Sequence, residues 1–196
     1  GWHIECSAMS MKYLGEQFDI HTGGIDHIPV HHTNEIAQSE CATGKHPFVN
    51  VWMHNAFVNV DGKKMAKSEG NFFTLSDIVS RGFDPLAYRY LLLTAHYKTQ
   101  VNFTWNALSG AETALDRLRG MIAELPDGGE ICAPCDKKFQ AAIRDDLNTA
   151  EALAVVWKLI SRDDVSLADK KATLLSWDTI LGLGLADVRP VEIPPP

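Results

Sequence analysis

From Trp2 to Leu14, apolar and small residues recur at helical spacing, and Gly15 supplies a natural stop, so the chain is expected to open on a helix. The short run "FDIH" followed by "TGG" reads as a buried strand feeding a glycine turn. Pro29 is placed to open a second helix that runs to about Thr43, where "GKHP" breaks it. "FVNVWMHNAFVNV" then reads as a strand, a bend and a second strand, and "DGKKMAKSEGN" as a loop with glycine near each end. Strand and helix alternate, which predicts an α/β layer arrangement.

After Asn71 the period changes. "TLSDIV", "DPLAYRYLLLTAHY" and "WNALSGAETALDRLRGMIAEL" carry helical spacing, "PDGGEICAPC" reads as a linker, and "KKFQAAIRDDLNTAEALAVVWKLI" and "SLADKKATLLSWDTILGLGL" are two further amphipathic stretches. No strand is expected in this half. The fold class predicted is therefore α/β followed by all-α.

With 196 residues the chain can be one large domain or two small ones, and 45% hydrophobic against 22% charged residues is an ordinary globular balance. No apolar run approaches the roughly 18 residues a membrane span needs. The opening "GWHIECSAMS" lacks the basic head and apolar centre of a signal peptide, so none is expected. Four cysteines in a chain of this size suggest a reducing, cytoplasmic setting rather than a disulfide framework. A first residue Gly1 and three final prolines give the look of a piece cut from something longer. The formal charge of −7 argues against a generally basic nucleic-acid face. Only residues 51–110 are net positive, and Lys63, Lys64 and Lys67 share one loop there, which favours a local anion site.

The densest chemistry is in "HIPVHHTNEIAQSE", residues 27–40. A separation of four places His31 and Glu35 on one helical face, where they could chelate a divalent ion or form an ordinary surface pair. Adding Cys6 gives a Cys/His/Glu set of the kind zinc accepts, with a coordination position left for a substrate. His27 and His32 are competing imidazoles that spacing does not separate. "KKMAKSEGN" can close over phosphates and offset developing charge, although composition alone also fits a solvated loop. "CAPC", residues 132–135, lacks the second cysteine pair of a structural zinc site and the βαβ surroundings of a thioredoxin motif, so it is expected to be inert. Of the five tryptophans, four are expected to be packing residues.

"GWHIECSAMS", "FDIHTGGIDHIPVHHTNEIAQSE", "WMHNAFVNVDGKKMAKSEGN" and "DDLNTAEALAV", in this order and spacing, resemble the cysteinyl-tRNA synthetase family of class I aminoacyl-tRNA synthetases over essentially the whole chain. The resemblance implies that Cys6, His31 and Glu35 ligate one Zn2+, with the family's fourth ligand, a cysteine, upstream of Gly1. It implies that "KMAKS" is the K-M-S-K-S signature, with Lys64, Met65, Lys67 and Ser68 at ATP (with Mg2+) and Lys64 and Lys67 in the catalytic role. Trp2 and Asp26 match positions lining the family's cysteine pocket. Residues 1–72 would then be the second half of a Rossmann-type catalytic domain, 73–110 a stem-contact region, and 111–196 a helical bundle on the tRNA-Cys side. Two departures stand out: Ala66 replaces the signature serine, and no H-I-G-H motif is present. The implied partners are tRNA-Cys, cysteine, ATP and the missing N-terminal half of the catalytic domain, without which the chain is expected to be inactive. A related ligase joining cysteine to an aminosugar, and a non-catalytic tRNA- or metal-binding fragment, are the competing readings.

Overall fold

The computed structural model describes residues 1–65 and 70–188, which fall into two compact units. The first comprises Gly1–Phe57 with Lys98–Gln100. Its elements are α1 (His3–Leu14), β1 (Phe18–Gly24), a 3-10 turn (Ile25–His27), a π-helical turn (Ile28–His32), α2 (Thr33–Thr43) and β2 (Val49–Asn55). β1 and β2 pair in parallel, with Ile20 opposite Val51, His21 opposite Trp52 and Gly23 opposite His54. Parallel pairing needs a crossover, and α2 supplies it. α1 lies against α2 through small polar residues: Ser39 donates to Ser7 Oγ at 3.0 Å, and Gln38 Nε2 donates to the carbonyl of His3 at 2.8 Å. Phe18, Phe48 and Val49 form a small apolar core at the start of the sheet.

Two local expectations change here. "TGG" is not a turn, because Gly23 and Gly24 continue β1 to its end. Pro29 does not open an α-helix directly; it sits at the start of the π turn, whose wider spacing carries the chain into α2 with both His31 and His32 buried.

The second unit holds β3 (Val58–Val60), β4 (Lys63–Lys64), α3 (Leu75–Ser80), α4 (Pro85–Leu93), β5 (Val101–Phe103), α5 (Trp105–Glu124), α6 (Ala133–Arg144), α7 (Thr149–Ile160) and α8 (Leu167–Leu181). β3 is the centre of a small sheet, antiparallel to β4 and parallel to β5. β5 corrects the expectation of a strand-free second half. At three residues it is too short to show a period, and Phe103, 2% exposed, belongs to the main core.

Side-chain caps start the helices where the sequence offers Thr, Asp, Asn or Ser. Thr74 and Asp77 make a reciprocal capping box, and Asp84, Thr104, Asn148 and Ser166 cap α4, α5, α7 and α8. The stretch "KKFQAAIRDDLNTAEALAVVWKLI" is two helices, because Asp146 and Leu147 take left-handed φ values of 52° and 56° and turn the chain between α6 and α7. The linker also ends earlier than expected, with Cys132 at the N-cap of α6. Leu108, Leu115, Leu118, Phe139, Val156, Leu159, Leu174 and Trp177 are all almost fully buried, and Phe139 stacks on Trp177 at a centroid distance of 4.5 Å.

Candidate functional site

In the first unit, α1, β1, β2, the π turn and α2 bring polar side chains together. Glu35 is fully buried at 0% exposure, a costly place for a carboxyl unless something satisfies it. Its Oε2 lies 2.9 Å from His21 Nε2 in a hydrogen bond. Its Oε1 lies 2.8 Å from His31 Nε2, yet this oxygen has no hydrogen-bond partner, and neither has the buried His31 Nδ1. Cys6, from α1, completes the group: one ligand atom each from Cys6, His31 and Glu35 lies within 4.8 Å of the others. Close approach without hydrogen-bond geometry is what atoms aimed at a shared third point look like. Thiol, imidazole and carboxylate together are a donor set zinc accepts. Burial, then the nearby Glu35 carboxylate, pushes the Cys6 thiol pKa up.

Sequence reasoning named His27 and His32 as competing imidazoles but did not find His21 or His54. His21, His32 and Glu35 form a second possible ligand group sharing the same carboxylate. His32 Nδ1 lies 2.7 Å from His54 Nε2. Burial, and then the imidazoles of His21, His54, His27 and His31, lower His32 to about 4, so its ring is neutral near pH 7. Gly23 makes this crowding possible, since a Cβ there would come within 2.6 Å of His32 Cε1 and 2.8 Å of His27 Nδ1. One signal was available: seven of the eight histidines fall within the first 54 residues. His21 and His54 sit on β1 and β2, outside residues 27–40, and the pairing of those strands sets them beside one another.

Trp2 is at the N-cap of α1, 59% exposed, with its indole 4.0 Å from the His31 ring and 5.9 Å from that of His27. Asp26 is exposed in the 3-10 turn. Both therefore present side chains to solvent within or beside the turn region that carries the ligands.

In the second unit, Lys64 is not in a loop. It ends β4, opposite Asn59, and its carbonyl accepts from Asn71 Nδ2 at 3.1 Å. Met65 is partly buried, beside Phe73, Tyr88 and Phe103. Ala66, Lys67 and Ser68 lie outside the described residues.

The first unit is thus an α/β unit carrying a thiol-imidazole-carboxylate cluster, followed in sequence by a unit of capped helices. Residues 1–113 match the family model of the tRNA synthetases class I (C) catalytic domain, and residues 138–186 match the DALR domain. The chain belongs to the class I tRNA synthetase (C) family. Among similar curated proteins, the cysteine--tRNA ligase 1 of Burkholderia lata is 53% identical over 197 residues, covering 100% of this chain and 42% of its own length. The cysteine--tRNA ligase of Treponema denticola is 45% identical over 213 residues, covering 95% of this chain and 43% of its own. The chain thus spans less than half the length of these relatives. The LeuRS of Agrobacterium radiobacter K84 (agnB2), solved in a ternary complex with tRNA and LeuAMS, superposes with a TM-score of 0.64 at 18% identity. That alignment covers 87% of this chain and 26% of the LeuRS, and it speaks for the fold alone. Among the described residues, no helix is long and apolar enough to cross a membrane.

Proposed function

We propose that this chain supplies the metal-binding half of the catalytic domain and the helical unit of a cytoplasmic cysteine-tRNA ligase, which activates cysteine with ATP and transfers it to tRNA-Cys. The observation that carries the proposal is the convergence of Cys6, His31 and Glu35, with Glu35 Oε1 and His31 Nδ1 buried and without hydrogen-bond partners. These three residues would hold one zinc ion. When bound, zinc takes a thiolate strongly and a serine hydroxyl poorly, which separates near-isosteres that size discriminates weakly.

The chain's own residues do the rest. His21 fixes the Glu35 carboxylate through Oε2, leaving Oε1 free for the metal. Trp2 offers an exposed indole face beside His31 for the aliphatic part of the substrate. Asp26 offers a carboxylate for its ammonium group. The substrate carboxylate then attacks the α-phosphorus of ATP and pyrophosphate leaves, with Lys64, Met65, Lys67 and Ser68 holding the Mg2+-bound nucleotide and the two lysines offsetting charge. Residues 1–72 are assigned to the catalytic half, 73–110 to stem contact and 111–196 to the bundle.

The test has two arms. Elemental analysis of the purified chain and its Cys6→Ala variant should give about one zinc and a clear loss, respectively. Cysteine-dependent pyrophosphate exchange should be absent from the chain alone and appear when the N-terminal half of a relative is supplied. Equal zinc in both proteins, or exchange that serine supports as well as cysteine, would overturn the proposal.

A further inference from the structure

α6 opens on Cys132-Ala133-Pro134-Cys135, with Cys132 at the N-cap and Cys135 in the first turn. Three residues of helix bring the side chains back to one face, and the two sulfurs lie 2.7 Å apart. Pro134, in the first turn, lacks only an N–H that a helix start leaves unpaired in any case. Ala133 and Pro134 are exposed, Cys132 is partly exposed, and Cys135 is 3% exposed. One thiol therefore faces a reagent while the other stands behind it.

The surroundings hold this arrangement. The Cys132 N–H donates to Thr173 Oγ1 at 2.9 Å, and Trp177 Nε1 donates to Asp136 Oδ1 at 2.9 Å, so α8 grips the helix start on both sides of the pair. Arg162, just past α7, donates from Nη1 to Cys135 Sγ at 3.3 Å and is itself gripped by the Asp164 carboxylate. A guanidinium at that distance favours negative charge on the inner sulfur. Cys135, Arg162, Lys138 and Lys158 line an open cavity of about 540 Å³ on the side of the inner thiol, and Cys132 is not part of its lining.

We propose that Cys132 and Cys135 are a redox-active dithiol that closes to a disulfide by exchange with a low-molecular-weight disulfide, Cys132 attacking and Cys135 resolving. The Cys132 thiolate attacks one sulfur of the small disulfide, forming a mixed disulfide and expelling a thiolate that takes up a proton. Cys135 then loses its proton, and its thiolate attacks the Cys132 sulfur, forming the internal disulfide and expelling the second small thiolate, which is protonated in turn. The protein dithiol is oxidised by two electrons and the small disulfide is reduced to two thiols. Burial, followed by the hydrogen bond with Cys132, pushes the Cys135 thiol up, which suits a group that should ionise only once its neighbour has been captured. A pair that cycles in this way fits a reducing compartment, where disulfides are transient. This departs from the expectation that "CAPC" is inert.

The experiment uses the full chain loaded with zinc, incubated across oxidised-to-reduced glutathione ratios, then acid-quenched, alkylated and peptide-mapped by mass spectrometry. Cys41, exposed on α2, is the internal comparison. The peptide carrying Cys132 and Cys135 should lose two hydrogens at ratios where Cys41 is still free to alkylate, and dithiothreitol should restore them. Cys135→Ala should trap glutathione on Cys132, while Cys132→Ala should leave Cys135 unmodified. Cys135→Ser provides a second form of the trap if the alanine variant does not fold by circular dichroism. Both thiols staying free at ratios that already glutathionylate Cys41 would overturn the proposal. So would a folded Cys135 variant with no adduct on Cys132.

Discussion

His21 Nε2 and Glu35 Oε2 stand 2.9 Å apart in a hydrogen bond that reaches from β1 to α2 and fixes the carboxylate plane of a fully buried acid. Glu35 can therefore offer Oε1 as a ligand without rotating away. Partners of this kind are typically worth 10–100-fold in metal affinity. His21→Ala is expected to weaken zinc binding by about that factor, and Cys6→Ala to weaken it further. Competition with a chromophoric chelator measures both. His32→Ala should change affinity little. If it were instead as damaging as Cys6→Ala, the ion would belong to the group formed by His21, His32 and Glu35.

The Asp84–Arg119 pair sets an acid limb for the helical unit. Arg119 Nη1 contacts Asp84 Oδ2 at 2.5 Å, and Arg119 Nη2 donates to the Leu183 carbonyl at 3.0 Å. Burial alone would raise the Asp84 carboxyl, but the Arg119 guanidinium and the Leu86 N–H outweigh it and hold its pKa below the usual carboxylate value. The folded pKa is thus depressed. Its contribution is fully present above the unfolded value near 4 and is lost as pH falls through the folded one. Asp84→Asn keeps an N-cap acceptor while removing the charge, so it should cost about 1 kcal/mol near pH 7 and little at about pH 2. Urea midpoints across that range test it, and a pH-independent cost would reject the ion pair as the cause.

Trp177 is completely buried, stacks on Phe139 and donates to Asp136. Trp177→Ala should destabilise the helical unit by about 3–5 kcal/mol, because it opens a cavity and removes one of the hydrogen bonds to Asp136 Oδ1, to which Gln140 Nε2 also donates. Trp177→Phe keeps the stack, loses the hydrogen bond and should cost about 1–2 kcal/mol. Thermal unfolding followed by circular dichroism separates the two. The zinc content of the first unit should be the same in both variants, and near-native melting of Trp177→Ala would refute the packing argument.

How much of this was legible depended on distance along the chain. α5 and α7 announce themselves because their buried residues recur every three or four positions, Leu108, Ala111, Leu115, Leu118 and Ile122 in the first case. His31 and Glu35 were legible as a pair because one helical turn separates them. His21 was not, since it lies 14 residues from Glu35 and reaches it only once β1 has formed. β5 was hidden by its brevity, and the α6–α7 break by Asp146 and Leu147, two residues that rarely adopt positive φ. The cysteines of "CAPC" were misplaced because a run rich in proline and glycine reads as linker, whereas proline in a first helical turn is compatible with helix.

Ile20 and Val51 are opposite each other in the β1–β2 register and are 60% and 55% exposed. Side chains alternate along a strand, so His21 and Trp52, the next pair in register, point to the other face, where the ligand cluster is. Parallel sheets are normally covered on both faces, and among the described residues this one has two strands. The face carrying Ile20 and Val51 is thus apolar where water meets it, and the purified chain is expected to associate as its concentration rises. Ile20→Lys combined with Val51→Lys places two like charges on that face and should keep the chain monomeric in sedimentation velocity at concentrations where the wild type self-associates. Because these side chains point away from His21, zinc content should not change. Loss of zinc in the double variant would show that it had disturbed the sheet rather than only its outer face. Self-association equal to wild type, with zinc retained, would remove this face as the contact.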